Sequence, residues 1–531
     1  MNRSYKGSIW KFTNKHITVT SHGVSERALA TASHGAGGGG GGGYQSIGSF
    51  HNENLADMLA QDDETYQPPP LPFDGARAST PTSGEGDDFS LDLDAWTFLN
   101  HGAFGAALRV GQRRADDWRR YLEAQPLRYH DRALLPHLAH AARSMARLLV
   151  GPDLMMSPSS SYALLPNVTS GMNAVLQNYT QRYGKEGHII FWDSTYGSVK
   201  TMARHYGKHG RVTEIPLLAK YLVPLVMESS SSASILAQAL MQHTTPQESN
   251  APPPLLLLEQ TTSNTALNFP VAALAQAART HLHPDTLVVV DGAHGLWAHD
   301  TAQILNDANN GKENDHHDDH SLSSSVDVYL ANGHKWLAAP RGVALAWSRN
   351  ETTTEQLLQY PAIVSHGMHA SDLFSRFVWD GCRDYNAALA IPAVLDYWNT
   401  RMEDGTSSRL LCDRKSVRQQ LWQGLTLLAN QWHGMPEDVN TLQNDGFARG
   451  LLLAPYHQGW LDTPMALLRL PPHLEGAHSG STDAKRVQDF LYDNNVEVPI
   501  KCVEGKLYVR VSCHIYNQQK DFQRLASVLK E

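Results

Sequence analysis

Between residues 166 and 347, apolar runs of strand length alternate with helical patterns. His188-Ile189-Ile190-Phe191-Trp192, Leu255-Leu256-Leu257-Leu258, Leu287-Val288-Val289-Val290 and Val326-Asp327-Val328-Tyr329-Leu330-Ala331 are far shorter than a membrane span. They also lack the polar alternation of a half-exposed strand, so each is expected to be buried on both faces. Further strands are expected at 212–218 and 343–347. Helices fit between them, for example at 271–282. Another opens at Asn167-Val168-Thr169-Ser170-Gly171 and carries Met172, Val175 and Leu176 on one side. Fully apolar strands separated by helices specify a mostly parallel α/β sheet covered on both faces.

The flanks read differently. Residues 1–85 include seven consecutive glycines (37–43), Pro68-Pro69-Pro70 and a polar stretch at 80–88. Such a segment buries too little apolar surface to offset its ordering entropy, and no regular structure is expected there. Its first 25 residues hold Arg3, Lys6, Lys11 and Lys15 and no acid before Glu26, which fits an organelle transit peptide or a plain basic tail. A short strand at 96–99 leads into the glycine-punctuated loop Asn100-His101-Gly102-Ala103-Phe104-Gly105, and helical spacing follows at 109–122 and 134–149. Hydrophilic insertions are read at 228–254 and 306–325. The second holds His316-His317-Asp318-Asp319-His320, read as a solvated loop rather than a metal site because no regular element fixes ligand geometry. From about residue 377 the pattern is α+β, with helices near 387–402, 483–494 and 521–529 and strands near 450–453 and 508–511. The expected division is therefore 1–85, a large domain 86–376, and a small C-terminal α+β domain 377–531.

A net charge of -9, from 44 basic and 53 acidic residues, argues against nucleic acid as the main partner. No apolar stretch is long enough for a membrane helix. The four cysteines (Cys382, Cys412, Cys502 and Cys513) are scattered without a Cys-x-x-Cys pair, so a reducing compartment is expected, in the cytoplasm or in an organelle such as a mitochondrion or plastid.

The residues able to do chemistry fall at strand ends, where open α/β sheets bind ligands. Asp291 follows Val290, and Lys335 follows the 326–331 run in Asn332-Gly333-His334-Lys335-Trp336. A lysine is ordinarily a solvated charge and an aspartate there can be a helix cap. Together at two buried strand ends, however, they are what pyridoxal 5′-phosphate requires: an amine to condense with its aldehyde and a carboxylate against its ring nitrogen. Thr169 and Ser170 at a helix start suit a phosphate, or serve as ordinary caps. Tyr196 can stack on the ring or belong to the core, and His334 can reach the phosphate or sit satisfied in the interior. Arg510, in Tyr508-Val509-Arg510-Val511-Ser512, is a candidate clamp for a substrate carboxylate or one half of a surface ion pair.

These stretches, with Phe98-Leu99-Asn100-His101-Gly102-Ala103-Phe104-Gly105, Pro340-Arg341-Gly342, Val364-Ser365-His366-Gly367, Trp379-Asp380-Gly381-Cys382-Arg383-Asp384 and Tyr516-Asn517, occur in the order found in one family. Over about 90–531 the chain resembles the class V aminotransferase superfamily of fold-type I pyridoxal-phosphate enzymes, nearest its isopenicillin N epimerase-like branch, which includes cysteine desulfhydrases. The resemblance implies a seven-stranded, mostly parallel sheet and a homodimer. It implies that Lys335 binds the cofactor covalently and moves the α-proton, that Asp291 pairs with the ring nitrogen, and that His294 lies near the ring hydroxyl. Thr169, Ser170, Asn332 and His334 would surround the phosphate, Tyr196 would stack, Arg510 would take the substrate carboxylate, and Asn100 and His101 would line the substrate side. Cys382 stands where the family usually has a threonine that reaches the neighbouring subunit's cofactor phosphate, and a thiol is a poorer donor there.

The reaction is open between β-elimination at sulfur, epimerisation and transamination. Desulfurases that pass on persulfide carry a nucleophilic cysteine on a loop some 25 to 30 residues before the carboxylate arginine in the family pattern; here residues 475–483 hold none. The expected function is a cysteine desulfhydrase-like C–S lyase acting on a small amino acid. The alternatives are an amino-acid epimerase or aminotransferase, and, outside enzymes, a catalytically silent scaffold of the same fold.

Overall fold

The computed structural model describes residues 55–73, 88–155, 161–217, 231–306, 325–400, 408–456, 459–476 and 479–530. Twelve strands occur among them: β1 (Thr97–Phe98), β2 (Ser161–Leu165), β3 (His188–Trp192), β4 (Arg211–Ile215), β5 (Leu255–Glu259), β6 (Leu287–Gly292), β7 (Val328–Asn332), β8 (Ala344–Ser348), β9 (Met465–Arg469), β10 (Val496–Glu497), β11 (Ile500–Val503) and β12 (Lys506–Ser512). Seven form the main sheet in the order β2-β8-β7-β6-β5-β3-β4. The five strands from β7 to β4 run parallel, and β8 is antiparallel to both β7 and β2. This is the mostly parallel seven-stranded sheet the sequence led us to expect.

Every residue of β3, β5, β6, β7 and β8 is buried, because helices cover both faces. The period of two survives inside the apolar runs. Leu255, Leu257 and Val289 pack with Val168, Met172 and Val175 of the Val168–Tyr183 helix, whereas Leu256, Leu258, Val288 and Val290 join the larger core on the other face with Leu274 and Ala275 of the Val271–His281 helix. Asp327 ties one edge together: its carboxylate accepts from Arg279 Nη2 at 2.8 Å, Arg349 Nη2 at 2.6 Å and the Val288 N–H at 2.7 Å.

In the C-terminal part, β11, β12 and β9 form an antiparallel sheet, and β1 pairs in parallel with β10. The 25-residue Arg409–His433 helix supports them against the Gln519–Val528 helix. The approach is so close that a Cβ on Gly424 would lie 2.2 Å from the Phe522 ring.

Several expectations are corrected. Residues 55–73 are not without structure. A helical turn at Leu55–Ala60 precedes a segment anchored by the Asp63–Arg143 ion pair (2.6 Å) and by Tyr66 stacked on His140. The transit-peptide stretch and the 316–320 cluster lie outside the described residues. The 228–254 insertion contains a helix, Ser232–His243, capped by the Ser231 hydroxyl and burying Ile235, Leu236, Ala239 and Leu240. The strand near 450–453 is a single bridge between Leu452 and Leu468, because the partner strand β9, absent from the sequence reading, already pairs with β12. β2 and the Arg409–His433 helix were also not anticipated. No helix among the described residues is long and apolar enough to cross a membrane.

Candidate active site

Strands β5, β6 and β7 end side by side. Parallel register pairs Glu259 with Asp291 and Gly292 with Ala331, so three buried strand termini deliver Glu259, Asp291 and Asn332 to one rim. Gly292 is needed there, since a Cβ would fall 2.0 Å from the Tyr329 ring. The rim opens onto a cavity of about 180 Å³ whose walls include Thr169, Tyr196, Glu259, Asp291, His294, His334 and Lys335. The chain reverses after β7, and Gly105, at φ +66°, packs so tightly on the turn that any Cβ would meet the His334 carbonyl.

Lys335 Nζ lies 3.1 Å from His294 Nε2, and the Trp336 indole N–H donates to His294 Nδ1 over 3.2 Å. An indole can only donate, so Nδ1 is the acceptor and the imidazole hydrogen resides on Nε2. Nε2–H therefore points at Lys335 and requires a free lone pair there. Burial pushes the Lys335 amine down to about 8, with Asp291 opposing and Arg510 assisting. Burial likewise keeps His294 far below the usual histidine range. The Lys335 backbone is fixed from behind: His101 Nε2 donates to the Lys335 carbonyl (3.0 Å), His514 Nε2 donates to the Trp336 carbonyl (3.0 Å), and Tyr516 donates to His101 Nδ1 (2.9 Å).

Asp291 is 6% exposed and accepts from the Ala293 N–H at 3.0 Å. Burial raises its carboxyl, while that N–H and Lys335 hold it down. Its neighbour Glu259 is raised much further, by burial first and by the Asp291 charge second. One Glu259 oxygen accepts from the Tyr196 N–H (3.2 Å), and the other is buried with no partner. Arg510 comes in from β12. Its guanidinium donates to the Ser263 carbonyl and to Asn100 Oδ1, and its Nε is buried and unpartnered.

No protein-family model matches the chain. Among curated proteins it is similar to putative L-cysteine desulfhydrase 1 of Oryza sativa subsp. japonica, at 24% identity covering 82% of each chain. The probable chloroplastic L-cysteine desulfhydrase of Arabidopsis thaliana is also 24% identical, over 83% of this chain and 84% of the relative. Isopenicillin N epimerase of Amycolatopsis lactamdurans is 25% identical, over 84% and 97%. Among solved structures, the cystine C–S lyase C-DES in complex with cysteine persulfide superposes with a TM-score of 0.57 at 16% identity, covering 82% of this chain and 97% of that one. The Escherichia coli cysteine desulfurase CsdA gives 0.56 at 15% identity, covering 84% and 96%. The chain shares the fold of these structures over more than four fifths of its length.

The cavity fits pyridoxal 5′-phosphate on its own geometry. Asp291, at the buried end of β6, can hold the ring nitrogen, and Tyr196, 45% exposed and on the cavity wall, presents a ring face. The Val168–Tyr183 helix points its N-terminus at the cavity, with Thr169 exposed there and His334 opposite, as a phosphate needs. Burial holds His334 near 4, so it meets an anion as a neutral donor.

Ser170, His101, Asn100 and Cys382 lie outside the cavity lining, whereas Asn332 is part of it. The Ser170 hydroxyl bonds to Asn167 Oδ1 and is not part of the cavity wall; Asn332 Oδ1 accepts the Val168 N–H and so anchors the helix start. His101 is fully buried behind the Lys335 carbonyl, because Phe89, Trp336, His514 and Tyr516 surround its ring; it supports the lysine turn instead of lining the substrate side. Asn100 acts one step back, bonding Glu497 and orienting Arg510. Cys382 is exposed and outside the cavity lining. Sequence reasoning passed over Glu259 and Trp336. Glu259 carried the signal that identified Asp291, an acid closing an apolar run. Trp336 carried none, since an indole after a lysine reads as core.

Proposed function

We propose that this chain is a pyridoxal-phosphate-dependent C–S lyase that cleaves L-cysteine or a related amino acid to a thiol product, an α-keto acid and ammonia. The observation that carries the reading is the convergence of Lys335, His294 and Asp291 on one cavity, with the buried, unpartnered Arg510 Nε near enough for the guanidinium charge to act on Lys335. The bound cofactor supplies an electron sink that acidifies the substrate α-carbon. Lys335 would hold it covalently, and its Nζ would take the α-proton. His294 Nε2–H would donate beside Lys335, and Asp291 would hold the ring nitrogen. Arg510, held by Ser263 and Asn100, takes the α-carboxylate through Nε and Nη2 and so orients the Cα–H bond.

Release of free sulfide rather than transfer of persulfide is supported by the lack of cysteine at 475–483. Cys502 is fixed in β11 with its thiol on the Ser479 carbonyl, 3.2 Å away. The names of the desulfhydrase relatives agree with this choice. We further propose that 86–376 carries the cofactor and 377–531 the carboxylate clamp, and that exposed Cys382 faces a second copy in a homodimer. The chloroplastic relative and the basic first 25 residues support an organellar location, with the cytoplasm as the alternative.

The test is incubation of reconstituted protein with L-cysteine. Sulfide, pyruvate and ammonia are expected in equal amounts, and Lys335→Ala is expected to abolish all three. Exchange of the α-proton in deuterated water without sulfide would transfer the assignment to epimerisation.

A further inference from the structure

Tyr196 and Ser263 line the inner cavity, and their chain neighbours line an outer one of about 520 Å³. Thr195 and Gly197 flank it on one side and Asn264 on another, and residues 500–504 of β11 and its turn close the far wall. Lys501 stands in that wall. It is in register with Tyr508 on β12, so its side chain leaves the same sheet face as Tyr508 and Arg510. Among the described residues neither Lys501 nor Arg510 has a carboxylate partner. Arg510 is held only by the Ser263 carbonyl and Asn100, with Nε open. The other lysines of the wall are occupied: Lys200 by the Asp193 carbonyl and Glu214, Lys485 by Asp489. Glu504, also on the wall, is exposed at the turn beyond β11. Burial, with the Arg510 charge, pushes the Lys501 amine down to about 8.

Two cations partly or wholly withdrawn from water without a counter-charge are costly unless a ligand brings the missing negative charges. The α-carboxylate of an amino acid answers Arg510 and leaves Lys501 without a partner. The outer cavity is also much larger than the thiol of L-cysteine requires. We propose that Lys501 binds a second carboxylate at the far end of the substrate's side chain, so that the preferred substrates are S-substituted cysteines whose substituent ends in an acid. This rests on the C–S lyase reading and narrows it.

The test compares holoenzyme acting on S-(2-carboxyethyl)-L-cysteine with its neutral counterpart S-propyl-L-cysteine. Wild type is expected to favour the acid by about tenfold or more in kcat/KM, as a charge-assisted hydrogen bond provides. Lys501→Gln is expected to remove that preference through KM while changing L-cysteine turnover less than about threefold, and Lys501→Arg to keep it. Equal kcat/KM in wild type, or an equal loss on both substrates in Lys501→Gln, overturns the proposal. A readout without turnover separates this from failure of the lyase reading: calorimetric binding of L-2-aminoadipate against L-norleucine to the holoprotein. Tighter binding of the diacid, lost in Lys501→Gln, supports the subsite even if no sulfide is ever released. Equal affinities overturn it.

Discussion

The indole of Trp336 reaches the active amine through one imidazole, and donor counting decides the state of all three groups. With Nδ1 of His294 occupied by a donor, Nε2–H faces Lys335 and favours the neutral amine. Trp336→Phe keeps an aromatic ring and deletes the donor. His294 is then free to place its hydrogen on Nδ1 and accept from a protonated Lys335, so the lysine pKa is expected to rise by about one unit, equivalent to about 1.4 kcal/mol. The pH dependence of cofactor capture by the purified protein measures this, and an unshifted profile would remove Trp336 from the account. At this scale the sequence spoke selectively. Lys335, Asp291 and Arg510 were legible because a charged residue at the end of, or within, an apolar run has few structural reasons to be there. Trp336 and His101 were opaque because their roles depend on which ring nitrogen meets which donor, and no spacing rule encodes that.

At the scale of elements, the apolar runs that became β3, β5, β6, β7 and β8 could be read directly, since burial on both faces leaves an unbroken signature. β2 and β9 were missed because Tyr162-Ala163-Leu164-Leu165 and Met465-Ala466-Leu467-Leu468 suit helix and strand alike. They are strands only because β8 and β12 offer them an edge. The Ser232–His243 helix was hidden by the serine-rich stretch before it, which also supplies its cap at Ser231. Asp327 shows how the central strands are held at their starting ends, with two arginines and a backbone N–H converging on a carboxylate that is 1% exposed on its side chain. Asp327→Ala strands both cations and is expected to destabilise the fold by about 3 kcal/mol, read as a lowered midpoint in urea. A midpoint within experimental scatter of wild type would mean the network contributes nothing.

For the molecule as a whole, buried histidines set the response to acid. Burial depresses His188, His334 and His514 to about 4 and His299 to about 3, against 6.5 in an unfolded chain. The unfolded state therefore binds protons first, and the stability these groups provide is complete above 6.5 and lost as pH falls toward 4. Glu259 and Asp291 act in the opposite sense, because their raised carboxyls stabilise the fold toward low pH. The histidines outnumber them. The melting temperature is accordingly expected to fall between pH 7 and pH 4.5, and a flat or rising profile would show that the ring cluster behind Lys335 is not held neutral. The fold brings Lys335, His294 and Asp291 to one cavity. Borohydride reduction of the holoprotein, followed by peptide mass spectrometry, examines that arrangement at its source. The cofactor is expected to be fixed to Lys335 alone and to be absent from Lys335→Ala; label on another lysine, or on none, would contradict the account.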